Sequence, residues 1–184
     1  MVTKEASRKI FTRDLAKKLF LTAHVEIEEG FTEIGEFCFD EFKQLKTIRL
    51  PESLLVIGEF AFSACKKLQK VELPKHLDRI ERGAFLACEG LVSVQVPEGV
   101  TILQASTFKD CRSLKTVELP ATLTAIVNEA FTGCTGLETI FIPESVQDIG
   151  ENAFLNCTSL TIRCCENSCA HKFAVAHHLR CEVL

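Results

Sequence analysis

Proline occurs at five positions only, Pro51, Pro74, Pro97, Pro120 and Pro143, with a constant step of 23 along the chain. A residue that fixes φ and lacks an N–H, recurring at constant spacing, marks the same backbone corner in each of a series of copies. Four more columns keep the same step. Cysteine does so at Cys65, Cys88, Cys111, Cys134 and Cys157, and phenylalanine at Phe39, Phe62, Phe85, Phe108, Phe131 and Phe154. Leucine follows at Leu45, Leu68, Leu91, Leu114, Leu137 and Leu160, and an aliphatic column reads Ile34, Ile57, Ile80, Leu103, Ile126 and Ile149. Five columns in phase exclude coincidence, and with it any fold without an internal repeat.

Residues 45–67 show one unit. Thr47-Ile48-Arg49-Leu50 alternates polar and apolar side chains, which predicts a short strand with one buried face. Pro51 then ends the strand. Leu54 and Ile57 turn back inward, Gly58 relieves the bend, and Ala61, Phe62 and Cys65 fill the far side of the coil. A single unit has too little apolar surface to offset the entropy of ordering its own backbone. Stacked units cover one another's faces and pair their strands into a parallel ladder, so stability belongs to the array.

The quoted columns resemble the BspA-like leucine-rich repeat family, also described as the Treponema pallidum type, whose unit is similar to L-x-x-I-x-L-P-x-x-L-x-x-I-G-x-x-A-F-x-x-C-x-x. Residues 45–160 hold five full copies, and residues 22–44 a degenerate first one in which Glu28 stands for proline and Phe42 for cysteine. The third full copy departs at Gln104 and Thr107. The resemblance implies an α/β fold: a right-handed solenoid with a parallel β-sheet on its concave face, short helical turns or strands on its convex face, and helical caps at both ends. It also implies relatives that are often adhesin-like surface proteins, some of them binding host proteins.

Both ends fall outside the period. Residues 1–21 read as an N-terminal capping segment, with an amphipathic helix over 7–20 whose Phe11, Leu15 and Leu19 make an i, i+4 stripe. Lys9, Arg13 and Lys17 lie opposite, so a second use of that helix is contact with a membrane or partner. Residues 161–184 read as a strand-helix-strand cap. Ile162 and Cys164 form a last strand one residue out of phase, Ser168 caps a helix reaching about His178, and Leu179–Val183 alternates again.

Charge narrows the partners. Residues 1–20 carry a net +4, which leaves −8 on the remainder of a chain whose total is −4. An acidic body has no electrostatic footprint for nucleic acid. No stretch approaches the roughly 18 apolar residues that cross a bilayer. Arg13, Asp14, Lys17 and Lys18 interrupt every candidate signal-peptide core. Cytoplasmic residence is therefore expected, with the cell surface or secretion as the alternative if a leader precedes this sequence. The charge and the caps favour a monomer.

Chemistry finds few footholds. No GxGxxG, P-loop, HExxH or GxSxG occurs, so neither catalytic residues nor a cofactor are assigned. The tail is rich in potential ligands, of which Cys165, Cys169, His177 and His178 are the nearest to a zinc set. Their spacing matches no established finger, and no metal is assigned. The in-phase cysteines read as a column of small apolar thiols inside the core. The five outside it, Cys38, Cys164, Cys165, Cys169 and Cys181, show no paired framework, which favours a reducing compartment.

What remains is the open side of the sheet. Its outward columns are Thr47, Lys70, Ser93, Thr116, Thr139 and Arg49, Glu72, Gln95, Glu118, Phe141. These point to a non-enzymatic scaffold that binds a protein partner through its concave face, with Arg49, Lys70, Glu72, Gln95, Glu118 and Phe141 as contact residues. Phe141 is either an anchor or a ring covered by the C-terminal cap. Phe60 and Leu55 are secondary candidates in bend columns. The alternative is a structural segment of a cell-surface repeat array with no binding site of its own.

Overall fold

The computed structural model describes residues 8–184. Each copy contributes one three-residue strand to a concave ladder and one two-residue strand to an outer ladder. The concave strands are β2 (His24–Glu26), β4 (Thr47–Arg49), β6 (Lys70–Glu72), β8 (Ser93–Gln95), β10 (Thr116–Glu118) and β12 (Thr139–Phe141). They are continued by β14 (Thr161–Cys164) and β15 (Arg180–Val183). The outer strands are β1 (Ile10–Phe11), β3 (Glu33–Ile34), β5 (Val56–Ile57), β7 (Arg79–Ile80), β9 (Ile102–Leu103), β11 (Ala125–Ile126) and β13 (Asp148–Ile149). All pairings are parallel, and within the copies the register is the sequence period itself: Ile48 faces Val71 and Ile34 faces Ile57. Past the last copy the step shortens, Ile140 facing Ile162 and Ile162 facing Cys181.

The prolines sit where the concave strand must end. Each presents a carbonyl that accepts the N–H three residues on, as Pro51 does from Leu54 at 3.1 Å, turning the chain toward the outer strand. Farther round, each of the first five copies passes through two left-handed residues and the sixth through one. One column holds Phe37, Phe60, Gly83, Ser106 and Glu129, the other Glu41, Ala64, Ala87, Asp110, Gly133 and Asn156. Most of the non-glycine residues here hold this strained conformation with their N–H groups bonded to the next turn, as in Phe60 to Arg82 O (3.0 Å) and Ala64 to Leu86 O (2.7 Å). At Gly83 the absent Cβ also makes room for the Phe60 ring, which a Cβ would meet at 2.4 Å.

Inside, the rings of Phe39, Phe62, Phe85, Phe108, Phe131 and Phe154 stack at 5.2–5.6 Å along the whole array. Both ladders have a seam, the outer one between β7 and β9 and the concave one between β10 and β12. The widest spacings in this column, 5.6 Å, lie on either side of Phe108. Its neighbour Thr107 is larger than the alanine of other copies and is fully buried, with its hydroxyl donating to Gln104 O at 2.7 Å.

The N-terminal segment corrects the expected helix over 7–20 and the helical cap at that end. Among the described residues the α-helix there is one turn, α1 (Arg13–Ala16), followed by a 3-10 turn at Lys17–Leu19, and Ile10–Phe11 is a strand paired with β3. Residues 8–21 are the second half of a further turn in phase with the repeat. Phe11, Leu15 and Leu19 stand one period before Ile34, Cys38 and Phe42, so their i, i+4 stripe is the repeat's own spacing. Ala16 occupies the phenylalanine column, and the Phe11 ring extends the stack in its place, 5.8 Å from Phe39. The basic residues fold back instead of forming one face. Arg8 makes a bidentate pair with buried Glu33, Lys9 lies over the Phe31 ring, Arg13 donates to Phe37 O, and Lys17 pairs with Asp14. Residues 1–7 of the expected capping segment lie outside the described residues.

At the other end α2 (Cys169–Ala176) begins at Ser168, whose Oγ accepts the His171 N–H at 3.1 Å. Its Phe173 ring closes the phenylalanine stack edge-on to Phe154.

Candidate functional site

The concave ladder lifts alternate side chains into solvent. In β6, β8, β10 and β12 the middle residue is buried and both neighbours are exposed. Arg49, Lys70, Glu72, Gln95 and Glu118 line one open trough of about 1130 Å³. Phe141 stands beyond it, across the seam on β12, and remains 42% exposed. Its neighbour on the next strand is Arg163, so the C-terminal cap does not bury it.

The face is wider than the full copies indicate. His24 and Glu26 of β2 continue the two columns at one end, in register with Thr47 and Arg49. Thr161 and Arg163, then Arg180 and Glu182, continue them at the other. Subtracting one period from Thr47 and Arg49 finds the first pair. The last four are off the period and carry no sequence signal beyond strand alternation.

Charges along the face are paired with each other. Arg49 meets Glu26 at 3.3 Å, Lys70 meets Glu72 at 2.6 Å and Arg163 meets Glu182 at 3.1 Å, all in exposed surroundings. The Lys70 ammonium, by hydrogen bond and then by charge, holds the Glu72 carboxyl below its ordinary range. Exposed pairs of this kind contribute little to stability, so their side chains are free to exchange partners. Elsewhere Leu55 is exposed in its bend column, and half-buried Phe60 stacks on Phe37 at 5.2 Å.

The tail residues do not converge. Cys165 precedes α2 and Cys169 opens it, His177 ends it against the Phe173 ring at 4.2 Å, and His178 follows in a left-handed conformation. Among the described residues no group of three or more His, Cys, Asp or Glu side chains is placed to hold a metal ion. The column thiols have a different task. Cys65, Cys88, Cys111, Cys134 and Cys157 each donate Sγ–H, at 3.0–3.2 Å, to the carbonyl of the phenylalanine one turn back. That carbonyl already accepts a backbone N–H, as Phe62 O does from Cys65, so the thiol takes its second lone pair. Cys38, outside the column, does likewise with Phe11 O.

A family model for the BspA type leucine rich repeat region, in six copies, matches residues 17–135 and 85–172. The chain belongs to this family. Among solved structures it is similar to a leucine rich cell surface protein from Faecalibacterium prausnitzii, with 36% identity and a TM-score of 0.78 over 85% of this chain and 42% of that one. A leucine-rich repeat protein from Bacteroides ovatus is 34% identical, with a TM-score of 0.73 over 76% and 36% of the two chains. The leucine-rich repeat protein of T. pallidum is 28% identical, with a TM-score of 0.55 over 84% and 62%. The chain thus spans less than half the length of the first two relatives. A comparison with curated proteins finds no match. BspA-type solenoids, like other leucine-rich repeat proteins, are recognition scaffolds whose broad sheet face suits macromolecular partners. Among the described residues no helix is long and apolar enough to cross a membrane.

Proposed function

We propose that this chain is a non-catalytic scaffold that binds a protein partner across its concave sheet, with Phe141 as apolar anchor and Arg49, Lys70, Glu72, Gln95 and Glu118 as polar contacts. The observation that carries the proposal is Phe141 itself. A large ring left exposed between Glu118 and Arg163, on a face whose other side chains are polar, has the composition of an interface centre with its rim. The family and the surface protein of F. prausnitzii support placement at the cell surface over the cytoplasm.

The test compares immobilised wild type with a Glu72→Arg/Phe141→Ala variant of equal melting temperature, both exposed to the same protein extract. Specific partners of the wild type are lost from the variant. Identical captured sets would remove the concave face from the function. That result would favour the second reading, a structural segment of a longer surface array, which the greater length of the relatives supports.

A further inference from the structure

Four cysteines stand in the C-terminal cap, Cys164, Cys165, Cys169 and Cys181. Two of them meet. β14 and β15 run parallel with Ile162 opposite Cys181 and Cys164 opposite Val183, so residues 164 and 181 lie on one diagonal of the strand pair. Their Sγ atoms are 3.5 Å apart. Cys164 is buried and Cys181 is half-buried at the rim. Nothing in the spacing of the sequence pairs them, because the last strand returns after a shortened turn.

We infer that Cys164 and Cys181 are a reactive thiol pair that closes reversibly into a disulfide across the last two strands of the solenoid. The bond needs about 2.05 Å between sulfurs, so the two must approach by about 1.5 Å. β15 is last in its sheet and bonded to β14 on one side, and an edge strand shifts that far without opening a second ladder. A low-molecular-weight disulfide supplies the oxidation. The Cys181 thiol loses its proton to water, and its thiolate attacks one sulfur of the small disulfide and expels the other half as a thiolate. The Cys164 thiolate, likewise deprotonated, then attacks the Cys181 sulfur and expels the second half. Two protein thiols become one disulfide, and the small disulfide becomes two thiols. Burial, and then the hydrogen bond with Cys181, push the Cys164 thiol up. That suits the more accessible Cys181 as attacking sulfur and Cys164 as resolving sulfur. Closure pins β15, whose Arg180 and Glu182 continue the two concave columns.

The experiment treats the folded full chain with oxidised glutathione, alkylates free thiols and digests without reduction. Trypsin cuts after Arg163, Lys172 and Arg180, so residues 164–172 and 181–184 separate unless Cys181 is bridged. The expected product is the two peptides joined, with Cys165 and Cys169 alkylated, about 2 Da below the sum of those peptides with Cys164 and Cys181 as thiols, and reversed by a dithiol. Cys164→Ser and Cys164→Ala each abolish the joined product, whereas Cys165→Ser/Cys169→Ser retains it. The inference is overturned if the folded chain gives no joined peptide, if reaction stops at glutathione on Cys181, or if the joined peptide survives both substitutions at Cys164.

Discussion

The interior turns and the C-terminal cap use the same residue in opposite ways. In the turns each thiol is sealed between layers and spends its proton on a phenylalanine carbonyl of the layer before. Burial pushes Cys65 up to about 12 and Cys157 up to about 11, and also raises Cys88, Cys111 and Cys134. Sealed between layers, with no accessible sulfur against them, such thiols are out of reach of a solution oxidant. In the cap the strand spacing shortens, and the sulfurs of Cys164 and Cys181 face each other. A cysteine whose place is dictated by the period is packing. One placed off the period is available for chemistry.

The largest expected effect tests the interior half of that contrast. Phe108→Ala removes the ring at the centre of the stack and costs about 3–5 kcal/mol in urea unfolding. The same truncation at half-buried Phe173 costs less than half as much, and equal losses would mean that the column has no special role. Next comes the thiol itself. Cys111→Ala costs about 1–2 kcal/mol through lost packing and a lost hydrogen bond, while Cys169→Ala stays within about 0.5 kcal/mol. A reversed order would break the comparison.

A third effect is alkaline and accumulates with pH. Free thiols titrate near 8.5, and the folded column holds its protons to higher pH, so above that point the unfolded chain binds fewer protons than the folded one. Stability is therefore complete below about pH 8.5 and falls as pH rises toward the folded values, by at most about 1.4 kcal/mol per pH unit for each column thiol. Denaturation midpoints from pH 7 upward check this. Cys111→Ala makes the decline shallower. A flat profile would mean that the column is not sealed.

The solenoid was legible because its register is its period: Pro51 and Ile48 announce a strand and its end, and adding 23 finds the partner of each. The outward columns followed from the same alternation. The N-terminal half-turn was misleading for a physical reason, since Phe11, Leu15 and Leu19 satisfy a helical stripe and the repeat spacing equally well, and only pairing with Glu33 and Ile34 separates the two. The exposure of Phe141 depended on how far the cap reaches over β12, which no local pattern encodes. The meeting of Cys164 and Cys181 depended on a shortened return that breaks the period.

Among the described residues the two ladders begin and end out of step. The outer ladder opens with β1, before the concave ladder has begun at β2. The concave ladder runs on through β14 and β15 after the outer one has ended at β13. Among the described residues the first extremity is consequently a stair and not a flat landing, whereas α2, seated against β13, β14 and β15, fills the step at the last.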